Sequence, residues 1–424
     1  MTDDSDPWKE RYDNSETRRT NDWRTQYYRD MARVIHGGAF RRLQGKTQVM
    51  GAGEGDFHRT RLTHSLEVHQ IGRSLFHGKL EKENAPSDLT PYLENAGDVI
   101  STACYAHDLG HPPFGHGGER ALHQKMHACG GFEGNAQTIR ILTKLEKYTE
   151  RYGINPTRRT LLSVLKYPVC YSAYPTAEEN KKPPKCYYID EHDIISWLLK
   201  PFSNCDKEIF TALSEKNKPQ YKSLDASIME CADDIAYSTH DLEDSVARKF
   251  LDKDIIISDL ECFFNKNGNI DIDGGSLKAE EFCELFSNSV RRKKFTGKLV
   301  NIMMTTTSLQ ENRDFSHPLL RYNLKIHEQI KELIDFITDK IIARHVIKTP
   351  KVQMLELKGQ RIIKKLFEEL SASPEQLITN WNDGLSISKE RKICDYIAGM
   401  TDSYAVKIYN RLFTPGQGTS TDEL

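Results

Sequence analysis

The chain has little cysteine chemistry to offer. Its nine cysteines are an odd number, and no two stand in a Cys-x-x-Cys spacing, so neither a disulfide framework nor a thiolate zinc site is indicated. Scattered thiols of this kind suit a reducing compartment. Long hydrophobic runs are missing too: no apolar stretch approaches the roughly 18 residues that a membrane span needs. The N-terminal "MTDDSDPWKERYDNSETRR" is acidic and polar and lacks the apolar core of a signal peptide. A soluble, cytoplasmic protein with no membrane partner is expected. Net charge is nearly absent, -2 from 59 basic and 61 acidic residues over 424 positions, which excludes a chain-wide field for polyanions but not local basic patches. Internal repeats and long low-complexity stretches are absent, and strand-like alternation is scarce.

What is present is helical periodicity. Apolar residues recur three or four apart in "LTHSLEVHQIGRSLFHGKL", "GDVISTACYAHDL", "DASIMECADDIAYSTHDLEDSVARKFL" and "RYNLKIHEQIKELIDFITDKIIARHVI", so the fold class is mainly α. Short β pieces are predicted near "KCYYID" and "KDIIIS". Residues 172–186 and 265–275 read as exposed loops, and 414–424 as a disordered tail.

Chemistry concentrates in "YAHDLGHPPFGHGGER" at 105–120. A helix over 97–109 sets His107 on the stripe of Ile100 and Ala103. A helix over about 60–77 sets His64 with Val68, Ile71 and Leu75. A lone histidine on an apolar face is ordinarily a satisfied core residue, but two of them, one followed by Asp108, favour a ligand set. On the third helix Asp233, Tyr237 and Asp241 share a face. Asp233 is the better inward carboxylate by a small margin, since Asp234 neighbours Glu230, Cys231 and Ser238. Imidazole and carboxylate suit Mn, Fe, Co or Ni, with Mg and Zn less natural, and such a set leaves positions for phosphate oxygens and water. Gly110 ends the helix and Pro112-Pro113 forbids its continuation, so His116 is expected on a loop folded back beside these groups. Glu119, at a following helix start, either orients His116 as a general acid or base or merely favours the helix dipole.

The stretches "RTRLTHSLEV", "AHDLGHPPFGHGGER", "EGNAQTIRIL", "LLSVLKYP" and "ADDIAYSTHDLED" occur in the order found in HD-superfamily deoxyguanosine triphosphate triphosphohydrolases. The segments "RRTNDWRTQYYRDMARVIHGGAFRRLQGKTQV" and "AGMTDSYAVKIYNRL" also look like that family. The resemblance runs from about 16 to 413. It implies an HD-domain helical fold in one catalytic unit: an HD core at 59–248, an insertion at 251–290 and a C-terminal helical part at 291–413. It makes His64, His107, Asp108 and Asp233 ligands of a divalent metal (Mn, Mg or Fe, with Co and Ni compatible). His116 becomes the catalytic acid/base and Glu119 its partner. Arg61 and Lys166 go to the triphosphate, and Gln48, Tyr237 and Asp241 to the deoxyribose. The implied reaction is hydrolysis of a dNTP, dGTP foremost, at the α-phosphorus, giving deoxynucleoside and inorganic tripolyphosphate. The implied partners are a second copy of the chain, up to a hexamer, and single-stranded DNA or a regulatory nucleotide. The segment "VCYSAYPTAEENKKPPKCYY" and residues 251–290 depart from the family pattern.

Two other readings stay open: an HD phosphodiesterase or 5′-nucleotidase acting on another ester, and a non-catalytic nucleotide or single-strand DNA module. Several features read as decoys. Asn269, Asp271, Asp273, Gly274 and Glu280 match a calcium loop loosely and are expected to form a turn. His123 and His127 are expected on a solvated helix face. Arg291, Arg292, Lys293 and Lys294 read as solvated or nucleic-acid-facing, as do Arg18, Arg19, Arg41 and Arg42.

Overall fold

The computed structural model describes residues 6–15, 21–48, 59–82, 85–174, 182–272, 275–378, 381 and 387–418. Arg18, Arg19, Asp273, Gly274, residues 175–181 of the expected loop and 419–424 of the expected tail lie outside the described residues.

Helices dominate, as the spacing predicts. The bundle around the site contains α1 (Gln26–Ile35), α2 (Arg61–Phe76), α3 (Ala96–Ala106), α4 (Gly115–Met126), α5 (Gly134–Arg140), α6 (Arg158–Val164) and α7 (Leu224–Ala247). Thr60 starts α2 through a capping box: its hydroxyl accepts the Thr63 N–H while the Thr63 hydroxyl accepts the Thr60 N–H. The phase this sets buries Arg61, His64, Val68, Ile71 and Leu75 together. Gly72 lets α2 close on α3, because a Cβ there would lie 2.7 Å from Cys104 Sγ. Helix α7 packs on both α2 and α3, and Ser223 caps its start.

After α7 come α8 (Lys253–Asn267), a hairpin of β1 (Ile270–Ile272) and β2 (Gly275–Leu277), and α9 (Ser289–Thr305). A second hairpin pairs β3 (Ser308–Glu311) with β4 (Tyr322–Lys325). Helix α10 (Glu328–Phe336) continues in wider π turns to Ile347, followed by α11 (Pro350–Ala372), α12 (Lys389–Ala398) and α13 (Asp402–Phe413). No helix among the described residues is long and apolar enough to cross a membrane.

Several expectations are corrected. "KDIIIS" begins α8 rather than a strand: Asp252 caps the Asp254 and Ile255 N–H groups, and Ile256, Leu260, Phe263 and Phe264 are buried at helical spacing. "KCYYID" contributes only a bridge of Tyr187 to Cys170 before a turn of 3-10 helix. The segment 265–275 is no simple loop, since it ends α8 and enters the first hairpin, where Asp271 faces Ser276. The helix expected over 321–347 opens as β4, whose Tyr322 and Leu324 alternate inward. His123 is buried, not solvated; its Nδ1 accepts the Phe132 N–H at 3.4 Å.

Two cores result. The larger holds the apolar faces of α2, α3, α6 and α7. The smaller joins Ala121, Leu122 and Met126 of α4 to α11, α12 and α13 through Ile363, Leu366, Ile397 and Ala405. Helix α4 therefore belongs, by its packing, to the C-terminal part of the chain.

Candidate metal and acid–base site

His107 caps the C-terminus of α3, where its Nδ1 lies 2.7 Å from the Cys104 carbonyl. A carbonyl can only accept, so Nδ1 carries the proton and Nε2 presents its lone pair. That Nε2 is buried without a hydrogen-bond partner among the described residues. It stands 3.5 Å from Asp108 Oδ1 and 3.7 Å from Asp233 Oδ1. His64 Nε2 lies 3.1 Å from the same Asp233 oxygen, and the two imidazole centroids are 5.4 Å apart. Ligand atoms of His64, His107 and Asp108 all fall within 4.8 Å of one another. An orphaned buried imidazole nitrogen among two carboxylates and a second imidazole is the donor chemistry of a divalent first-row metal. Asp234 turns instead to Lys331, at 2.9 Å, so the inward carboxylate is Asp233.

The charges support one another. Burial opposes ionisation of Asp233, but His107, His64 and Lys166 outweigh it and hold the carboxyl below its usual range. Burial likewise opposes Asp108, and His111, Arg61 and His107 hold it low. Arg61 NH1 reaches Asp108 Oδ2 at 2.7 Å. Lys166 Nζ stands 3.6 Å from Asp233 Oδ2.

His116 is not on a loop: it lies in the first turn of α4, two residues beyond Phe114, whose φ is +62°. Its Nδ1 faces Glu119 Oε2 at 3.3 Å, and the imidazole is exposed. Glu119 is buried, and its other oxygen accepts the Gly134 N–H at 2.9 Å. Burial works against this carboxylate, while His116, Lys185 and His111 keep it ionised. An ionised acceptor on Nδ1 leaves Nε2 of His116 as the outward-facing nitrogen.

A cavity of about 110 Å³ joins Gln48, His116, Tyr237, Val352, Leu355 and Glu356. Burial raises the Tyr237 phenol. One helical turn on, Asp241 is buried with Oδ2 unpartnered among the described residues, and burial pushes its carboxyl up to about 7. A larger cavity of about 530 Å³, lined by Arg42, Gln137, Glu146, Asp395 and Tyr404 among others, contains none of the expected site residues.

Sequence reasoning missed three neighbours. His111 Nδ1 is 3.0 Å from Asp108 Oδ1; set between Gly110 and Pro112, it read as part of a turn. Lys185 Nζ is 2.6 Å from Glu133 and sits 5.5 Å over the Tyr167 ring, which Lys222 approaches at 6.0 Å. Lys222 also shares Glu230 with the expected Lys166, and the lysine-rich "NKKPPKC" is the sequence's hint of Lys185.

Residues 61–166 match the HD domain and residues 324–411 the phosphohydrolase-associated domain. A deoxyguanosinetriphosphate triphosphohydrolase-like protein of Deinococcus radiodurans is 43% identical over 98% of this chain and 98% of its own length. Proteins of the same name from Shewanella sediminis and Shewanella woodyi are 41% and 43% identical, with 97% of either chain covered in both comparisons. The chain belongs to the HD-domain deoxyguanosinetriphosphate triphosphohydrolase-like family. It is an HD phosphohydrolase of mainly α fold, and the HD match spans His64, His107, Asp108, His116, Glu119 and Lys166. The second match runs from within β4 through most of α13 and so includes α11, α12 and α13, which share a core with α4.

Proposed function

We propose that this chain hydrolyses deoxynucleoside triphosphates, dGTP foremost, at the α-phosphorus, releasing deoxynucleoside and inorganic tripolyphosphate. The observation that carries the reading is the bare Nε2 of His107 in a two-histidine, two-carboxylate set that His111, 3.0 Å from Asp108 and with its ring 6.0 Å from that of His116, links to the His116–Glu119 pair. His64, His107, Asp108 and Asp233 would hold the metal, with Mn, Mg or Fe suited to the donors. When bound, a divalent metal there polarises a phosphate oxygen and makes the phosphorus more electrophilic.

The chain's own groups do the rest. Lys166, Lys185 and Lys222, with Arg61, neutralise the outer phosphates. His116, with Nδ1 fixed by Glu119, donates from Nε2 to the departing 5′-oxygen as water bonds to the α-phosphorus and the bond from phosphorus to that oxygen breaks. Tyr237 packs beneath the deoxyribose, Asp241 accepts from the 3′-hydroxyl, and Gln48 borders the sugar. Oligomers up to a hexamer, and control by single-stranded DNA or a nucleotide, belong to the same proposal.

Product identification tests it. Each dNTP is incubated singly and in mixture with Mn²⁺, and products are resolved by anion exchange and ³¹P NMR. Intact tripolyphosphate with free deoxynucleoside is expected. Pyrophosphate with a nucleoside monophosphate, or hydrolysis confined to monoesters, would replace the reading with a phosphodiesterase or nucleotidase.

A further inference from the structure

Asp402 is buried in the first turn of α13, yet it does not cap that helix. Thr401 does so, accepting the Tyr404 N–H at 3.2 Å. The Asp402 carboxylate reaches across to two other segments. Its Oδ1 accepts the Phe114 N–H at 2.9 Å, and its Oδ2 accepts the Thr47 N–H at 3.1 Å and the Thr47 hydroxyl. His116 follows Phe114 by two residues, and Gln48 follows Thr47 by one. Beside this contact, Lys46 Nζ donates to the His111 carbonyl at 2.6 Å and to the Ala398 carbonyl at 2.9 Å. Gly45 completes the clamp: a Cβ there would stand 2.8 Å from Thr401 Cγ2.

The clamped backbone needs holding. Phe114 has a left-handed φ of +62°, which persists in a bulky residue only where its surroundings over-determine it. Its N–H is fixed by a carboxylate 288 residues away in sequence. The donor count also matters, because one carboxylate serves three donors on two strands of chain that flank one cavity.

We propose that Asp402 is a positioning residue for the reaction: from the C-terminal helix it sets where His116 and Gln48 stand. This rests on reading His116 as the proton donor. Asp402 touches no substrate in this scheme and acts through the two residues it aligns.

The test is a mutant cycle on the full-length chain with dGTP and Mn²⁺. Asp402→Ala should lower kcat by about 10- to 100-fold, the cost of an ångström-scale misplacement, with bound Mn²⁺ retained. Asp402→Asn, which keeps one acceptor oxygen, should lose less. In a His116→Ala, Gln48→Ala background, Asp402→Ala should change kcat by no more than about threefold, since residues that act as one unit are not additive. The same fold loss in both backgrounds would overturn the proposal and leave Asp402 a scaffold residue. Near-normal turnover of His116→Ala alone would instead overturn the proton-donor reading, and this proposal with it. If Asp402→Ala fails to fold, Asp402→Asn in both backgrounds gives the same cycle.

Discussion

Gly72 offers the sharpest test of how the two imidazoles are brought together. A methyl group added there would meet Cys104 Sγ at 2.7 Å, Ile100 Cγ2 at 3.4 Å and Ala232 Cβ at 3.6 Å. Only the sulfur is too close. Gly72→Ala in a helix interior should gain up to about 1 kcal/mol from propensity. Overpacking against the sulfur costs about 1–3 kcal/mol, so the single variant should be destabilised by roughly 0–2 kcal/mol. Removing the sulfur removes the obstacle. Cys104→Ala alone leaves a small void costing on the order of 1 kcal/mol, and the added methyl of the double variant enters that void. The double variant, with the overpacking relieved and the void refilled, should therefore be more stable than the sum of the singles by about 1–4 kcal/mol. Urea midpoints at unchanged m-value measure the cycle, and elemental analysis measures bound metal in parallel. Because His64 on α2 and His107 at the end of α3 share Asp233, Gly72→Ala should also lower metal occupancy, and Cys104→Ala should restore it. Additivity within about 0.5 kcal/mol, or full occupancy in a clearly destabilised Gly72→Ala, would refute the claim that this contact sets the spacing of the histidines.

Other expectations follow from the same geometry. Asp233→Ala should remove metal and activity together, while Asp234→Ala, losing only its pair with Lys331, should be milder; full metal in Asp233→Ala would reverse the assignment. Tyr237→Ala should narrow the ratio of kcat/KM for dGTP over GTP, because a ring under the sugar leaves a 2′-hydroxyl unpaired at about 1–3 kcal/mol; an unchanged ratio would make Tyr237 structural. His317, packed among Trp8, Tyr92 and Phe202, has its pKa lowered to about 4, mainly by burial, with Arg159 and Arg321 adding to it and Asp206 opposing. The unfolded chain binds that proton first, so its contribution to stability is complete above about pH 6.5 and is lost as pH falls toward 4, at up to about 1.4 kcal/mol per pH unit. His317→Asn, which keeps an acceptor for the Leu319 N–H, should flatten that part of the stability–pH curve, and an unchanged slope would assign it to other groups.

The helices that carry the site were legible because their apolar residues keep a 3.6 period over many turns. His64, His107 and Asp233 could be set facing inward from spacing alone, and they do converge. The misreadings come from short or non-local signals. Ile255, Ile256 and Ile257 look like a strand by type, yet a single cap at Asp252 and burial four residues apart make them helical. The two-residue alternation of Tyr322 and Leu324 is too brief to stand out against the helix that follows, and its partner β3 has no pattern of its own. His111 was hidden by its glycine and proline neighbours. Asp402 lies in a segment that resembles the family but carries no local signal of its role, since its partners at 47 and 114 lie far away along the chain.

The division of α2, α3 and α7 from α4 between two cores bears on the order of events at the ribosome. Every residue of the two-histidine, two-carboxylate set lies before residue 248, and so does much of the larger core. Helix α4 emerges early as well, but the apolar partners that seat it come from α11, α12 and α13. Chains generally fold from the N-terminus as they are made. A nascent chain can thus bring His64, His107, Asp108 and Asp233 together while α4, which carries His116, still lacks the apolar partners that seat it.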